Sequence, residues 1–211
     1  MRISINNPNI ISIAISQLQE GSIVIFPTDT SYGMGCIGLR WNENNIKRIY
    51  QIKERPLDKP LSLLITKEMI NEYIETSSLV REFLEEVWPS RLTAVLKCRS
   101  QASKKLSPLL NQNNPQKLAF RVPQHNLLLK IIDGVGSPII GTSANRSGST
   151  SKYDFNIISQ ELSSKYIHLS IDAGRLPRNP PSTLVDLSDP TNPTVLRKGS
   201  VDFQKIFRIK I

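Results

Sequence analysis

The stretch SIVIFPTDTSYGMGCIG, residues 22–38, decides the fold. Its first five residues, Ser22 followed by the continuous apolar run Ile23 to Phe26 and closed by Pro27, read as a buried strand. Gly33, Gly35 and Gly38 then match G-x-G-x-x-G, the spacing of a dinucleotide-binding turn. That turn needs its glycines to end a strand and open a helix. Here Pro27 to Tyr32 intervene after the strand, and LRWNEN follows without a helical pattern. Dinucleotide binding is therefore rejected. The glycines read instead as places of close backbone approach, to a ligand or to another strand. No G-x-x-x-x-G-K-[ST] occurs, so a P-loop is excluded as well.

Outward from this stretch, helical and strand patterns alternate. Ile10, Ile11, Ala14, Ile15 and Leu18 recur at helical spacing over 8–20, with Pro8 before them and Gly21 after. Residues 43–53 return to helix, 61–65 to strand, and 67–87 read as an acidic helical stretch. Strands are expected at 92–97, 118–122, 137–142 and 166–172, and helices at 125–133, 154–164 and 201–207. STLVDL and TVLRK look like closing strands. The expected fold is α/β, one domain over 1–211, without internal repeats.

The 211 residues suffice for one sizeable core. No apolar run approaches the roughly 20 residues of a membrane span, and the N-terminus lacks a signal-peptide core, so no membrane role is expected. Cys36 and Cys98 stand alone, without CxxC or a nearby His. A zinc site or disulfide is not expected, both read as core residues, and the cytoplasm is the expected compartment. The net charge of +9 favours phosphate-bearing partners. The surplus is uneven: residues 61–100 carry five basic and six acidic side chains, residues 101–150 six and one.

Several loops carry chemistry. PTDTSYG (27–33) sets four hydroxyls and a carboxylate straight after a strand; alone it reads as an ordinary polar turn. KERPLDKPL (53–61) places Lys53, Arg55 and Lys59 on a proline-stiffened turn suited to phosphate oxygens, with a solvated basic loop as the competing reading. GTSANRSGSTS (141–151) follows a strand and reads as a turn whose backbone N–H groups form an anion nest. Arg121 interrupts the apolar AFRVP: it is paired internally, at a sheet end, or set for an anionic ligand. Arg197 in LRKG is placed similarly. His125 and His168 have no ligand-spaced partners and read as structural or surface residues. No nucleophile–base arrangement stands out. Cations, hydroxyls and an amide favour positioning a nucleotide over covalent catalysis.

Together PTDTSYGMGC, KERPLDKPL, LTAVL, AFRVP, TSANRSG, PSTLVDL and LRKG, in this order over residues 10–200, resemble the YrdC-type threonylcarbamoyl-AMP synthases in their short form. The resemblance implies a twisted mixed sheet flanked by helices around a deep, positively charged cavity. It implies a nucleotidyltransferase that condenses L-threonine, bicarbonate and ATP to threonylcarbamoyl-AMP and pyrophosphate, for threonylcarbamoyl-adenosine modification of tRNA. Mg²⁺ is expected with ATP, without a metal site on the protein. Implied partners are tRNA or double-stranded RNA and the proteins of the later transfer step. The family's Lys-x-Arg and Ser-x-Asn signatures fall on Lys53, Arg55, Ser143 and Asn145, implied as the catalytic set. ATP contacts fall on these four and on Leu57, Lys117, Ser151 and Arg197; threonine contacts fall on Thr30, Ser62, Arg121, Gly141 and Ser182. No general base stands out, Asp29 being a weak candidate. Three departures are visible. Glu54 replaces a glycine, Ser90-Arg91 replaces Gly-Pro, and Lys117 replaces a threonine of some members. Two rival readings remain: a non-catalytic RNA-binding module, and a carbamoyl-adenylating domain like those of hydrogenase maturation factors, which sit in longer chains with zinc-finger modules.

Overall fold

A computed structural model describes residues 1–162 and 164–208. The chain runs β1 (Arg2–Ser4), α1 (Ile10–Gln19), β2 (Ile23–Pro27), β3 (Tyr32–Gly35), α2 (Glu43–Ile52), β4 (Ser62–Leu64), α3 (Ile70–Tyr73), β5 (Ile74–Glu75), α4 (Ser78–Val87) and β6 (Leu92–Cys98). It continues through α5 (Ser100–Lys105), β7 (Lys117–Arg121), α6 (Asn126–Val135), β8 (Ile139–Ile140), β9 (Thr142–Ser143), α7 (Phe155–Glu161), β10 (Ile167–Asp172), β11 (Thr183–Asp186), β12 (Thr194–Arg197) and α8 (Phe203–Arg208). No described helix is long and apolar enough to cross a membrane.

Among the described residues the strands form two mixed sheets. One has the order β1-β10-β2-β3-β9, the other β12-β11-β6-β7-β4-β8 with β5 on β6. They meet where β8, in the second sheet, passes through Gly141 into β9, in the first. Gly35 of β3 lies against this crossing. A Cβ there would sit 1.7 Å from the Ile140 carbonyl oxygen, so no side chain fits. The close-approach reading therefore holds for Gly35, whose neighbour is another strand.

α1 and α6 cover the first sheet. Ala14 and Leu18 of α1 share a buried apolar cluster with Ile131 and Ile132 of α6 and Val24 and Leu169 of β2 and β10. The larger cluster lies around the second sheet, with Trp88, Phe83 and Phe120 fully enclosed. α8 docks there through Phe203 and Phe207, whose rings lie 5.8 and 5.0 Å from Phe83. Cys36 and Cys98 are free and buried in the same cluster. His125 caps α6, accepting from the Leu128 amide.

Two local expectations fail. The stretch 67–87 is not one helix. Residues Ile74–Glu75 leave the helix to pair with Lys97–Cys98 of β6, and Ser77 restarts it as N-cap of α4. Residues 137–142 are not one strand but two, split at the crossing between sheets.

Candidate active site

A cavity of about 570 Å³ opens between elements of both sheets, in the usual range for a small-molecule site. Of the residues implied by the resemblance, Thr30, Arg55, Ser62, Lys117, Arg121, Gly141, Ser143, Ser151, Ser182 and Arg197 line it. Lys53, Leu57 and Asn145 do not.

The hydroxyl loop after β2 forms one wall. Thr28 Oγ1 accepts from the amides of Thr30 and Ser31 and donates to the Ser31 carbonyl at 2.6 Å. This local bonding turns the chain back into β3 and leaves Thr28, Thr30 and Ser31 facing the cavity.

Arg121, at the end of β7, is 7% exposed. Its Nη2 donates to Asp29 Oδ2 at 2.6 Å, its Nη1 to Thr30 Oγ1 at 3.4 Å and its Nε to the Ser90 carbonyl at 3.3 Å. The internal pairing considered from sequence is thus present. It does not exhaust the guanidinium: five N–H donors less these three leave one on each terminal nitrogen. Burial, with Arg91 and Arg197 nearby, lowers the Arg121 pKa, and Asp29 opposes the shift. Asp29 itself stands behind Arg121, with Oδ1 buried and no partner among the described residues. Its carboxylate is not on the cavity wall, so it is badly placed for a general base.

Three further cations line the cavity. Arg55 Nη2 donates to the Pro60 carbonyl at 2.7 Å and its Nε to the Lys59 carbonyl at 3.3 Å, which folds the proline-stiffened loop around the guanidinium. Lys117 pairs with Asp186 at 2.6 Å. Arg197 donates to the Ser182 carbonyl at 3.0 Å and to its hydroxyl at 3.2 Å, and Ser182 Oγ meets Thr93 Oγ1 at 2.9 Å. Ser62 Oγ donates to the Gly141 carbonyl at 2.7 Å.

Lys53 is placed differently from its expected role on phosphates. It is 2% exposed, and its Nζ donates to the carbonyls of Ser143 and Asn145, the latter at 2.7 Å. Burial, then the Arg55 charge, lowers its pKa to about 7. Asn145 is also buried, and its Nδ2 donates to the Arg146 and Ser149 carbonyls. Leu57 is 45% exposed, outside the cavity wall. Of the anion nest expected at 141–151, the amides of Ala144, Asn145, Ser147 and Ser149 are already bonded to the Tyr32, Ser143, Lys53 and Arg146 carbonyls. Ser143 and Ser151 of this turn line the cavity.

No group of three or more His, Cys, Asp or Glu suited to a metal occurs among the described residues. Asp186 lines the cavity, but Oδ2 is taken by Lys117 and Oδ1 by Ser188. This donor set does not fit a resident cation.

The chain matches the Sua5/YciO/YrdC family, described as "telomere recombination", over residues 16–199. It belongs to the Sua5/YciO/YrdC family. Among relatives of this family, the threonylcarbamoyl-AMP synthase of Pyrococcus abyssi is 32% identical over 206 residues, 94% of this chain. The chain spans only 56% of that relative's length. Solved Sua5/YciO/YrdC structures agree. Sua5 of P. abyssi complexed with L-threonine superposes with a TM-score of 0.84 at 29% identity, covering 99% of this chain and 60% of that one. E. coli YciO gives 0.83 at 26% identity, covering 98% of each.

Within the Sua5/YciO/YrdC frame the departures gain a physical account. Glu54 adopts φ 49°, a left-handed conformation that glycine takes without cost. Arg91 donates to the Asp29 carbonyl at 3.0 Å and so braces the loop that holds Arg121. Lys117 finds its counter-ion in Asp186. Sequence reasoning missed Asp186, Thr93 and Asn179 as wall residues. Asp186 lay inside PSTLVDL, already singled out. Asn179 lay in a proline-rich loop without pattern, where no local signal points inward.

Proposed function

We propose that this chain is an L-threonylcarbamoyladenylate synthase. It would condense L-threonine, bicarbonate and ATP, carried as its Mg²⁺ complex, to threonylcarbamoyl-AMP and pyrophosphate, supplying tRNA threonylcarbamoyl-adenosine modification. The observation that carries this reading is one cavity lined by Arg55, Lys117, Arg121 and Arg197, with hydroxyls between them and Asp186 already paired. Such a wall suits two anionic reactants held side by side, whose repulsion would otherwise oppose their meeting.

In this reading the threonine carboxylate takes the two open donors of Arg121, beside Thr30, Ser62, Gly141 and Ser182. The threonine amine attacks the bicarbonate carbon and water leaves, giving a carbamate. A carbamate oxygen attacks the α-phosphorus, and the bond to the β-phosphate oxygen breaks. Arg55, Lys117, Ser143, Ser151 and Arg197 offset charge on the departing pyrophosphate. No side-chain nucleophile is needed. The tRNA and the proteins of the transfer step are downstream partners of this proposal.

The test is threonine-dependent release of pyrophosphate from purified protein with ATP, bicarbonate and Mg²⁺. Folded protein that releases none in the presence of threonine would sink the reading. Strong RNA binding with a steep salt dependence and no nucleotide binding would favour the RNA-binding module instead. Turnover with carbamoyl phosphate in place of threonine and bicarbonate would favour carbamoyl adenylation.

A further inference from the structure

Lys53 presents an unusual combination. It is a buried cation, it has no carboxylate partner among the described residues, and it sits outside the cavity wall that its motif implies. Its side chain and its backbone grip the same turn. Nζ donates to the carbonyls of Ser143 and Asn145, while the Lys53 carbonyl accepts the Ser147 amide at 2.7 Å. Asn145 closes the turn from inside through its bonds to Arg146 and Ser149. Next to Lys53, the side chain of Glu54 meets Arg146 at 2.9 Å. The end of α2 and the 143–149 turn are thereby fastened over 90 residues of sequence.

The consequence lies at the front of the turn. Gly141, Thr142 and Ser143 line the cavity, and β9 is held to β3 by two register pairs, Gly33 with Ser143 and Met34 with Thr142. So short a ladder does little to fix where Ser143 points. The carbonyl of Ser143, drawn back to Lys53, fixes its peptide plane and so the backbone from which its side chain leaves.

We propose that Lys53 is a positioning residue, a clamp that sets the 143–149 turn from behind, rather than a direct contact to phosphate. This rests on the synthase reading only for the identity of the ligands. A direct contact would act on ATP alone, and more strongly with each added phosphate. A clamp would act on whatever the turn touches, including the threonine that Gly141 borders.

The experiment compares Lys53→Met with the parent in two measurements. Hydrogen exchange reads the turn; calorimetric titration reads ATP, ADP, AMP, adenosine and L-threonine separately. The clamp predicts exchange of the Ser147 and Ser149 amides about tenfold faster, and ATP and threonine affinities that fall together by about tenfold, as expected for a site misplaced by a fraction of an ångström. Losses that rise from adenosine to ATP, with threonine affinity and turn exchange unchanged, would overturn it. Should Lys53→Met fail to fold, Ser147→Pro removes the amide that the Lys53 carbonyl accepts and keeps the charge, and exchange is then read at Ser149. Faster exchange and a joint loss of both ligands support the clamp there too; intact affinities and exchange count against it. If the parent binds neither ATP nor threonine, the synthase reading fails, and the exchange comparison still decides the clamp.

Discussion

Lys53 and Arg121 are both buried cations, but they have opposite partners. Arg121 faces the carboxylate of Asp29 at 2.6 Å, whereas Lys53 bonds to the carbonyl oxygens of Ser143 and Asn145. A carboxylate offsets the desolvation of a guanidinium, and the fork geometry leaves donors over for a ligand. Carbonyls bond an ammonium without cancelling its charge, so burial drives the Lys53 pKa down to about 7. One cation is kept charged at the cavity wall. The other is kept behind it as a fastener.

The comparison breaks most visibly at Arg121. Arg121→Ala should abolish threonine-dependent pyrophosphate release and destabilise the protein by about 3 kcal/mol, because the buried Asp29 is left with only its longer, 3.9 Å pairing to Arg91. The double variant Arg121→Met with Asp29→Asn removes both charges. It should recover much of the denaturant midpoint but none of the threonine binding. Recovery of both would mean that Arg121 serves the fold alone.

Arg55 comes next. It lines the cavity and keeps its charge near solvent, with bonds only within its own loop. Arg55→Ala should lower kcat/KM for ATP by about 10²-fold. Melting temperature and threonine affinity should hardly change. A melting temperature that falls sharply would place Arg55 among the fasteners with Lys53.

That contrast between residues 53 and 55 also marks what was legible in the sequence. Local pattern revealed α1, α2 and α6 by their helical repeat and β2 by its continuous apolar run, each within its own length. β1 was invisible: its three residues are held by a register with Ser170–Asp172, far along the chain. β3 was hidden by its glycines, which Gly35 needs for the approach to Ile140 and which erase any alternation. At the site, most of the implied residues share one cavity. Which of two neighbouring cations faces that cavity depends on a left-handed residue between them and on carbonyls 90 positions away. Neither is a pattern in the chain.

The depressed pKa of Lys53 makes a smaller, titratable prediction. Between about 7 and its ordinary 10.5, the unfolded chain holds more protons at this site than the folded one. Stability therefore rises with pH over that window, by at most about 1.4 kcal/mol per pH unit. Urea midpoints taken between about pH 7 and 8 avoid the range where groups whose pKa burial raises begin to oppose it, first the thiols of Cys36 and Cys98 and then Tyr32, Tyr50 and Tyr73. Lys53→Met should flatten the rise. An unchanged slope would mean that Lys53 keeps its proton in the fold and that its carbonyl partners screen it as well as a carboxylate would.

Glu54 offers the smallest effect and separates the hinge from the clamp. Its φ of 49° costs a side-chain-bearing residue roughly 1–2 kcal/mol. Glu54→Gly relieves this and gives up the exposed pair with Arg146, which contributes only about 0–1 kcal/mol, while the unfolded chain gains freedom. The net should be a stabilisation of at most about 1 kcal/mol, or a rise of about 2–4 °C in melting temperature. Glu54→Ala loses the same pair and keeps the strain, so it should melt below the parent. If glycine and alanine behave alike, the turn at residue 54 carries no strain. The orientation of Lys53 would then be set entirely by its carbonyl partners rather than shared with the backbone that delivers it.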